Sequence, residues 1–324
     1  MKKESLHFHD QPLDFFATAL TVLLCAIWGG AFVGIKINTL DMPPLGAGAL
    51  RFCLVALVLL GWARYRHVSL QVDSIEAKSL VVPVLLSCYT NFIAYVGTAL
   101  TTSGRATVFF YTQPIFLALL APYFLPGDRL TVRKLCGLGL ALGGVIALFF
   151  TKLADGSVST LTGDVLVLSG AVVSAFYGIA VKRTAGKLHP VTLICWQSWV
   201  SWPLLTVLSW WFEAGQPFVF TGRAITAILY LGLISAAFGF VVFAWLLQRN
   251  AATRVTALTF LTPVFGVVYS WFLLHETLSP FQLLGVLGVC LGVYIVSSGG
   301  TSKPLITEGE ISSITEQEGT EVSN

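Results

Sequence analysis

Residues 105–114, RATVFFYTQP, decide the reading of this chain, because residues 254–263, RVTALTFLTP, repeat them 149 positions later. Arg105 falls on Arg254, Thr107 on Thr256 and Pro114 on Pro263. The register extends outward. Trp28-Gly29 falls on Tyr177-Gly178, and after a one-residue slip Asp128 meets Glu276, Gly137 meets Gly285 and Gly144 meets Gly292. Apolar segments match one another easily by composition alone. Arginine, proline and acidic residues held in one register do not, so the chain reads as two similar halves.

Each half is made of bilayer-spanning material. A soluble domain carries roughly 25% charged residues; here 11% are charged and 56% hydrophobic, with a mean hydropathy of +0.81. Such a surface needs lipid around it. A helix crosses the hydrocarbon core in about 20 apolar residues. Stretches of that kind are predicted at 16–38, 43–63, 79–100, 104–125, 132–151, 163–183, 190–212, 224–247, 252–274 and 279–299. The linkers between them, such as Asp41-Met42-Pro43-Pro44, Pro126-Gly127-Asp128 and Ser279-Pro280, are too short to hold a soluble domain. The first stretch is too long for the roughly 7–15-residue core of a signal peptide and is expected to be retained.

Five spans per half is an odd number, so the second half must enter the membrane from the opposite side. The expected fold is all-α and integral to the membrane, with ten transmembrane helices in two inverted five-helix repeats around a central cavity. Substrate sites in such folds lie near the midplane at the repeat interface. The expected organisation is a short tail at 1–14, a first repeat at 15–152, a second at 162–300, and an acidic tail at 301–324. That last tail is rich in Ser, Thr, Gly and Glu, too poor in apolar surface to offset its ordering entropy, and is expected to be disordered. With a cytoplasmic N-terminus, only Lys36, Arg105, Lys152 and Arg223 among the loop cations fall outside. Basic residues favour the cytoplasmic face, so both termini are expected there, in a plasma membrane of the bacterial inner type.

Several motifs carry a family resemblance. Trp28-Gly29 and Lys36 stand in the first span, Arg51-Phe52 in the second, and Gln113-Pro114 in the fourth, followed by Gly127-Asp128 and Gly137. The second half answers with Gly163-Asp164, Thr262-Pro263, His275-Glu276 and Gly285. In this order and spacing they resemble the EamA type of the drug/metabolite transporter superfamily, over about residues 15–299. The resemblance implies ten helices around a central cavity and export of amino acids or other small metabolites.

Ionisable residues inside a bilayer are costly and mark functional candidates. Arg51 sits eight residues into its predicted span, about 12 Å deep, and Lys36 lies nearer the same face. Together they could form an electropositive vestibule for a carboxylate-bearing substrate, or cap carbonyls and snorkel. The acidic residues Asp14, Asp41, Asp128, Asp155, Asp164, Glu213 and Glu276 all fall at span ends. Expulsion of cationic drugs by proton exchange would want a mid-depth acid, so a zwitterionic, neutral or anionic substrate fits better. The expected binding residues are Trp28, Asn91, Tyr95, Tyr111, Gln113, Tyr177, Trp196, Gln197 and Trp245, although packing is the commoner role for any one aromatic. Trp62, Trp210 and Trp211 belong to the interface belt. Pro114 and Pro263 each remove a backbone hydrogen bond and are expected to act as hinges.

Other classes fit less well. His7, His9, His67, His189 and His275 fall in tails or loops, and no catalytic set is apparent, so an enzyme is not expected. The six cysteines lie singly in apolar runs, and neither a metal nor a cofactor is expected. The net charge of +3 is too small to suggest nucleic acid. Broad toxic-compound efflux and a non-transporting receptor or scaffold are the alternatives. Proton antiport and simple facilitated export both stay open, and a homodimer is compatible with the sequence.

Overall fold

The computed structural model describes residues 13–125, 130–148, 150, 158–274 and 280–297. Both tails, Asp128, Lys152, Asp155, His275 and Glu276 lie outside the described residues. No strand occurs among the described residues. The helices are α1 (Phe15–Trp28), α2 (Ala31–Asp41), α3 (Pro44–Tyr65), α4 (Ser74–Leu100), α5 (Ser103–Phe110), α6 (Gln113–Phe124) and α7 (Val132–Leu148), then α8 (Val158–Arg183) and α9 (Pro190–Phe212). There follow α10 (Gly222–Leu229), a π-helical segment (Tyr230–Phe238), α11 (Gly239–Arg249), α12 (Ala252–Leu258), α13 (Leu261–Leu274) and α14 (Pro280–Ser297).

Eight described segments are long and apolar enough to cross a bilayer, and their bounds fall close to the stretches predicted at the corresponding places. The predicted fifth and tenth spans appear as α7, of 17 residues, and α14, of 18 residues. The starts of the helices follow from their sequences. Asp14 accepts from the Ala17 amide (2.6 Å), and Asp73 with Glu76 forms a reciprocal capping box on α4. Such side chains take the backbone donors that a first turn leaves over. Pro44 and Pro190 occupy first turns, where the missing N–H costs nothing.

Continuity is where structure and sequence differ. The first span breaks at Gly29-Gly30, between α1 and α2. The fourth breaks at Tyr111-Thr112 and the ninth at Thr259-Phe260, 148 positions apart and so within one residue of the repeat register. Pro114 and Pro263 are not kinks within continuous helices; each sits in the first turn of the helix that follows the break. A proline there removes no bond from its own helix, but it cannot extend the ladder of the helix before it. The eighth span is continuous but carries nine residues of π-helix, Tyr230–Phe238.

Helices α7 and α14 approach more closely than side chains would permit. A Cβ on Gly144 would stand 2.5 Å from the Val289 nitrogen and 2.7 Å from the Gly285 oxygen; one on Gly137 would stand 2.8 Å from the Gly292 oxygen. Gly137 against Gly292 and Gly144 against Gly285 is an antiparallel contact. In lipid no hydrophobic force separates helix from solvent, so close backbone packing by small residues is what joins them. We expect Gly144→Val to destabilise the protein by at least about 1–3 kcal/mol, the usual overpacking penalty. Gly143→Val, at a position with nothing within 4 Å, serves as control. Thermal melting in detergent checks this; equal melting of the two variants would contradict the packing account.

Candidate functional site

A cavity of about 150 Å³ lies among α1–α6, α8, α9 and the π segment with α11, while α7 and α14 stand outside it. Its walls are built where the helices break. Inside a bilayer a backbone carbonyl without a partner costs several kcal/mol, so each freed carbonyl attracts a donor. The Trp28 indole Nε1 donates to the Ser235 carbonyl in the π segment (2.9 Å), and the Arg51 Nε donates to the Leu231 carbonyl in the same segment (3.1 Å). In return, the Tyr230 hydroxyl donates to the Ile27 carbonyl and Tyr269 to the Ala26 carbonyl (2.7 Å), both at the broken end of α1. The Cys25 thiol donates to Leu258 O (3.3 Å), one residue before the break between α12 and α13.

Trp28 is held further by rings. Phe243 meets it edge-on at 5.2 Å and Phe240 lies 6.1 Å away. Gly239 makes room, since a Cβ there would stand 2.9 Å from the indole nitrogen. Phe32 packs against Phe110 (5.5 Å) and Tyr111 (6.5 Å) on the other side. Arg51, 5% exposed, lays its guanidinium over Phe52 (5.3 Å) and Phe240 (5.5 Å). The Leu231 carbonyl engages Nε, the buried Tyr95 hydroxyl lies against the same guanidinium, and Arg51 lines the cavity. Tyr177 donates to Gln197 Oε1 (3.1 Å), and Gln197 Nε2 is buried without a partner among the described residues. Asn91 and Gln113 add two more carboxamides to the wall, and Ser87 and Thr90 add hydroxyls. Arg51 is the one charged residue among those lining the cavity.

Of the residues expected at a site, Trp28, Arg51, Asn91, Tyr111, Gln113, Tyr177 and Gln197 thus meet around one cavity. The structure gives four others different surroundings. Tyr95 is fully buried behind the wall, packed on Gly48 and Arg51. Lys36 is no vestibule charge: its Nζ donates to the carbonyls of Thr98 (3.2 Å), Ala99 (3.1 Å) and Thr101 (2.9 Å), capping the end of α4. Trp196 donates to the Leu70 carbonyl (3.0 Å) and so pins the loop before α4. Trp245 packs against Phe16 (6.2 Å) and under Arg249 (4.7 Å), at a span end. Pro114 and Pro263 stay beside the breaks rather than on the cavity wall. Trp62, Trp210 and Trp211 are exposed near span ends.

Sequence reading missed Phe32, Phe52, Phe110, Phe240 and Phe243 as lining residues. Phenylalanine in a membrane span is indistinguishable from packing material until the backbone break beside it is known. It also left Arg105 and Asp164 unpaired. Asp164, 2% exposed, accepts from Arg105 Nε at 3.2 and 3.0 Å, from Arg105 Nη2, and from Thr101 (2.7 Å). Both residues fall at span ends, which is the signal the sequence carries. Asp41 likewise accepts from Arg223 (2.7 and 2.5 Å) and Thr221 (2.5 Å), and Glu213 caps α3 through the Leu45 and Gly46 amides (2.9 and 3.1 Å).

The chain is 27% identical to YoaV, an uncharacterized transporter of Bacillus subtilis, over 83% of this chain and 92% of that one. It is also 27% identical to a probable amino-acid metabolite efflux pump of Escherichia coli, over 85% and 93% of the two chains. A crystal structure shares the fold at a TM-score of 0.75 with 18% identity, covering 87% of this chain and 98% of that one. The profile of the EamA-like transporter family matches twice, at residues 15–150 and again at 161–298. This multi-span membrane protein belongs to the EamA-like transporter family.

Proposed function

We propose that the chain is a secondary transporter exporting amino acids, or similar small carboxylate-bearing metabolites, through the central cavity by alternating access. Arg51 carries this reading. The residue is buried, its guanidinium lies over two phenylalanine rings, and it lines a cavity whose described lining includes no carboxylate. A buried cation without a counterion is costly, and an anionic group on the substrate relieves that cost through a charge-assisted bond. Asn91, Gln113, Gln197 and Tyr177 supply neutral hydrogen-bonding groups, while Trp28, Tyr111 and the phenylalanines receive an apolar side chain. Tyr95 supports Arg51 from behind. A cationic drug would meet Arg51 with like charge, which disfavours broad toxic-compound efflux.

Ten spans in two inverted repeats belong to the same proposal. In support, α7 and α14 occupy equivalent places in the two family-matched segments yet run antiparallel, with Gly137 on Gly292 and Gly144 on Gly285. A two-fold axis relating two antiparallel membrane-crossing helices lies in the membrane plane. Lys36 and Lys182 repeat the relation: the first caps the end of the third span, and the second donates to the Gln248 (3.3 Å) and Asn250 (2.7 Å) carbonyls at the end of the eighth. In this reading both termini are cytoplasmic, in a bacterial inner membrane. The breaks at 111–112 and 259–260, each followed by proline, are the hinges that let one half rock against the other.

Proteoliposomes loaded with single amino acids, and with the matching carboxamides, test the function. The wild type should carry the acid and discriminate against the amide; saturable binding without flux would point to a receptor instead. Losing one charge-assisted hydrogen bond costs about 1.5–3 kcal/mol, roughly 10- to 100-fold in affinity. Arg51→Gln should therefore raise the KM for the acid by that factor and abolish acid-over-amide preference, with Arg51→Lys intermediate. An unchanged preference in Arg51→Gln would remove the residue from substrate recognition.

A separate expectation concerns the breaks. Pro114→Ala and Pro263→Ala should slow turnover several-fold while leaving the substrate Kd within about twofold, because the ladder of the preceding helix can then continue. Flux and equilibrium binding measured on the same preparation decide it; wild-type turnover in both variants would end the hinge account.

A further inference from the structure

We propose that the protein holds an anionic phospholipid in a groove between α4, α6 and α8 at one end of the spans, separate from the central cavity. The groove measures about 320 Å³ and is graded along its length. At its mouth stand Lys78, in the second turn of α4, Arg183, at the end of α8, and Lys187, in the turn that follows. Deeper, the walls are apolar: Pro83 from α4 and Phe176 from α8, with the ring of Phe124, at the end of α6 beneath Arg183, meeting Phe176 edge to face at 6.0 Å. Phe176 lies seven residues before Arg183, about 10 Å further along the helix axis at 1.5 Å per residue. A cationic rim over an apolar slot, at the end of membrane-crossing helices, has the polarity of a phospholipid: phosphate outside, acyl chain within.

Among the described residues, no carboxylate lines the groove, and its charges face such a ligand. Arg183 donates through Nε (3.2 Å) and Nη2 (3.0 Å) to the Phe124 carbonyl and lies 5.3 Å over the Phe124 ring. This fixes the guanidinium at the mouth and leaves Nη1 open. Lys78 and Lys187 are exposed. Carboxylates at this end of α4 do not compete, because Asp73 and Glu76 are engaged with one another's backbone in the capping box and neither lines the groove. Arginine and lysine clusters between spans at the membrane interface favour anionic over zwitterionic headgroups. The apolar slot selects a lipid over a free phosphate, which could use the rim alone.

Native mass spectrometry of the full chain in detergent, titrated with phosphatidylglycerol or phosphatidylcholine, tests this. One phosphatidylglycerol should be retained about tenfold more strongly than phosphatidylcholine, and Lys78→Gln with Lys187→Gln should remove that preference. Arg64→Gln with Arg66→Gln, an equal loss of charge at the same membrane face outside the groove, should keep it. Ala180→Trp fills the slot without touching charge and should eject the lipid; it carries the test should the double glutamine variant fail to fold. Equal losses in both charge variants, retention in Ala180→Trp, or displacement of the lipid by millimolar inorganic phosphate would each overturn the proposal. None of these outcomes bears on the cavity reading, which amino-acid flux decides independently.

Discussion

A peptide carbonyl released from its helix inside a bilayer has no water to turn to, and the central architecture follows from that constraint. Breaks at Gly29-Gly30, Tyr111-Thr112 and Thr259-Phe260, with the π segment at Tyr230–Phe238, all cluster around one cavity. The breaks at 111–112 and 259–260 keep local turn bonds within their own spans, while carbonyls at the end of α1 and in the π segment are matched from neighbouring helices. Two residues of the site, Trp28 and Arg51, match the π segment, and behind the wall Tyr230 and Tyr269 match the end of α1 and Cys25 matches Leu258. Irregular backbone is tolerated at membrane depth only where protein or a cavity surrounds it. Here the irregularity and the cavity therefore specify each other.

The same accounting sorts the charges. Lys36 and Lys182 end helices, Glu213 begins one, and Asp164 and Asp41 are bound to arginines. The buried Arg105–Asp164 pair returns little net stability against its desolvation, though removing one partner would be severe, and the solvent-facing Arg223–Asp41 pair contributes little. These groups consequently fix which spans lie side by side rather than adding much to the total. Arg51 differs because it lines the cavity with no carboxylate among the described lining residues.

Span positions were legible because a 20-residue apolar stretch bounded by Pro, Gly or charge has few alternatives. The twofold match of Arg105, Thr107 and Pro114 with Arg254, Thr256 and Pro263 likewise survived without a structure. Lys36 and Trp196 were not legible. Each acts on carbonyls far away in the chain, Thr98 to Thr101 and Leu70, that no local pattern announces. The π segment, YLGLISAAF, lacks any composition that separates it from an α-helix; its lengthened turns are stabilised by Trp28 and Arg51, which is tertiary information. Six of the nine expected binding residues line the one cavity because polar residues at mid-depth have few places to face. The aromatic expectations divide, since a ring is equally content in a packing seam.

Repetition of the scaffold does not extend to the chemistry of its walls. Ser87, Thr90, Asn91 and Ala94 of α4 stand 149 positions before Ala236, Gly239, Phe240 and Phe243. The first set gives the cavity hydroxyls and a carboxamide, while its counterpart gives two phenyl rings and the space Trp28 needs. A cavity with identical walls would bind an amphiphilic molecule equally well in two opposed poses, and neither pose would be favoured over the other. With one polar wall and one aromatic wall, and Arg51 stacked against Phe240 between them, a single pose satisfies both ends of such a molecule. Under the proposed transport function, this divergence between matching positions of the two halves is what would let the cavity tell the ends of its cargo apart.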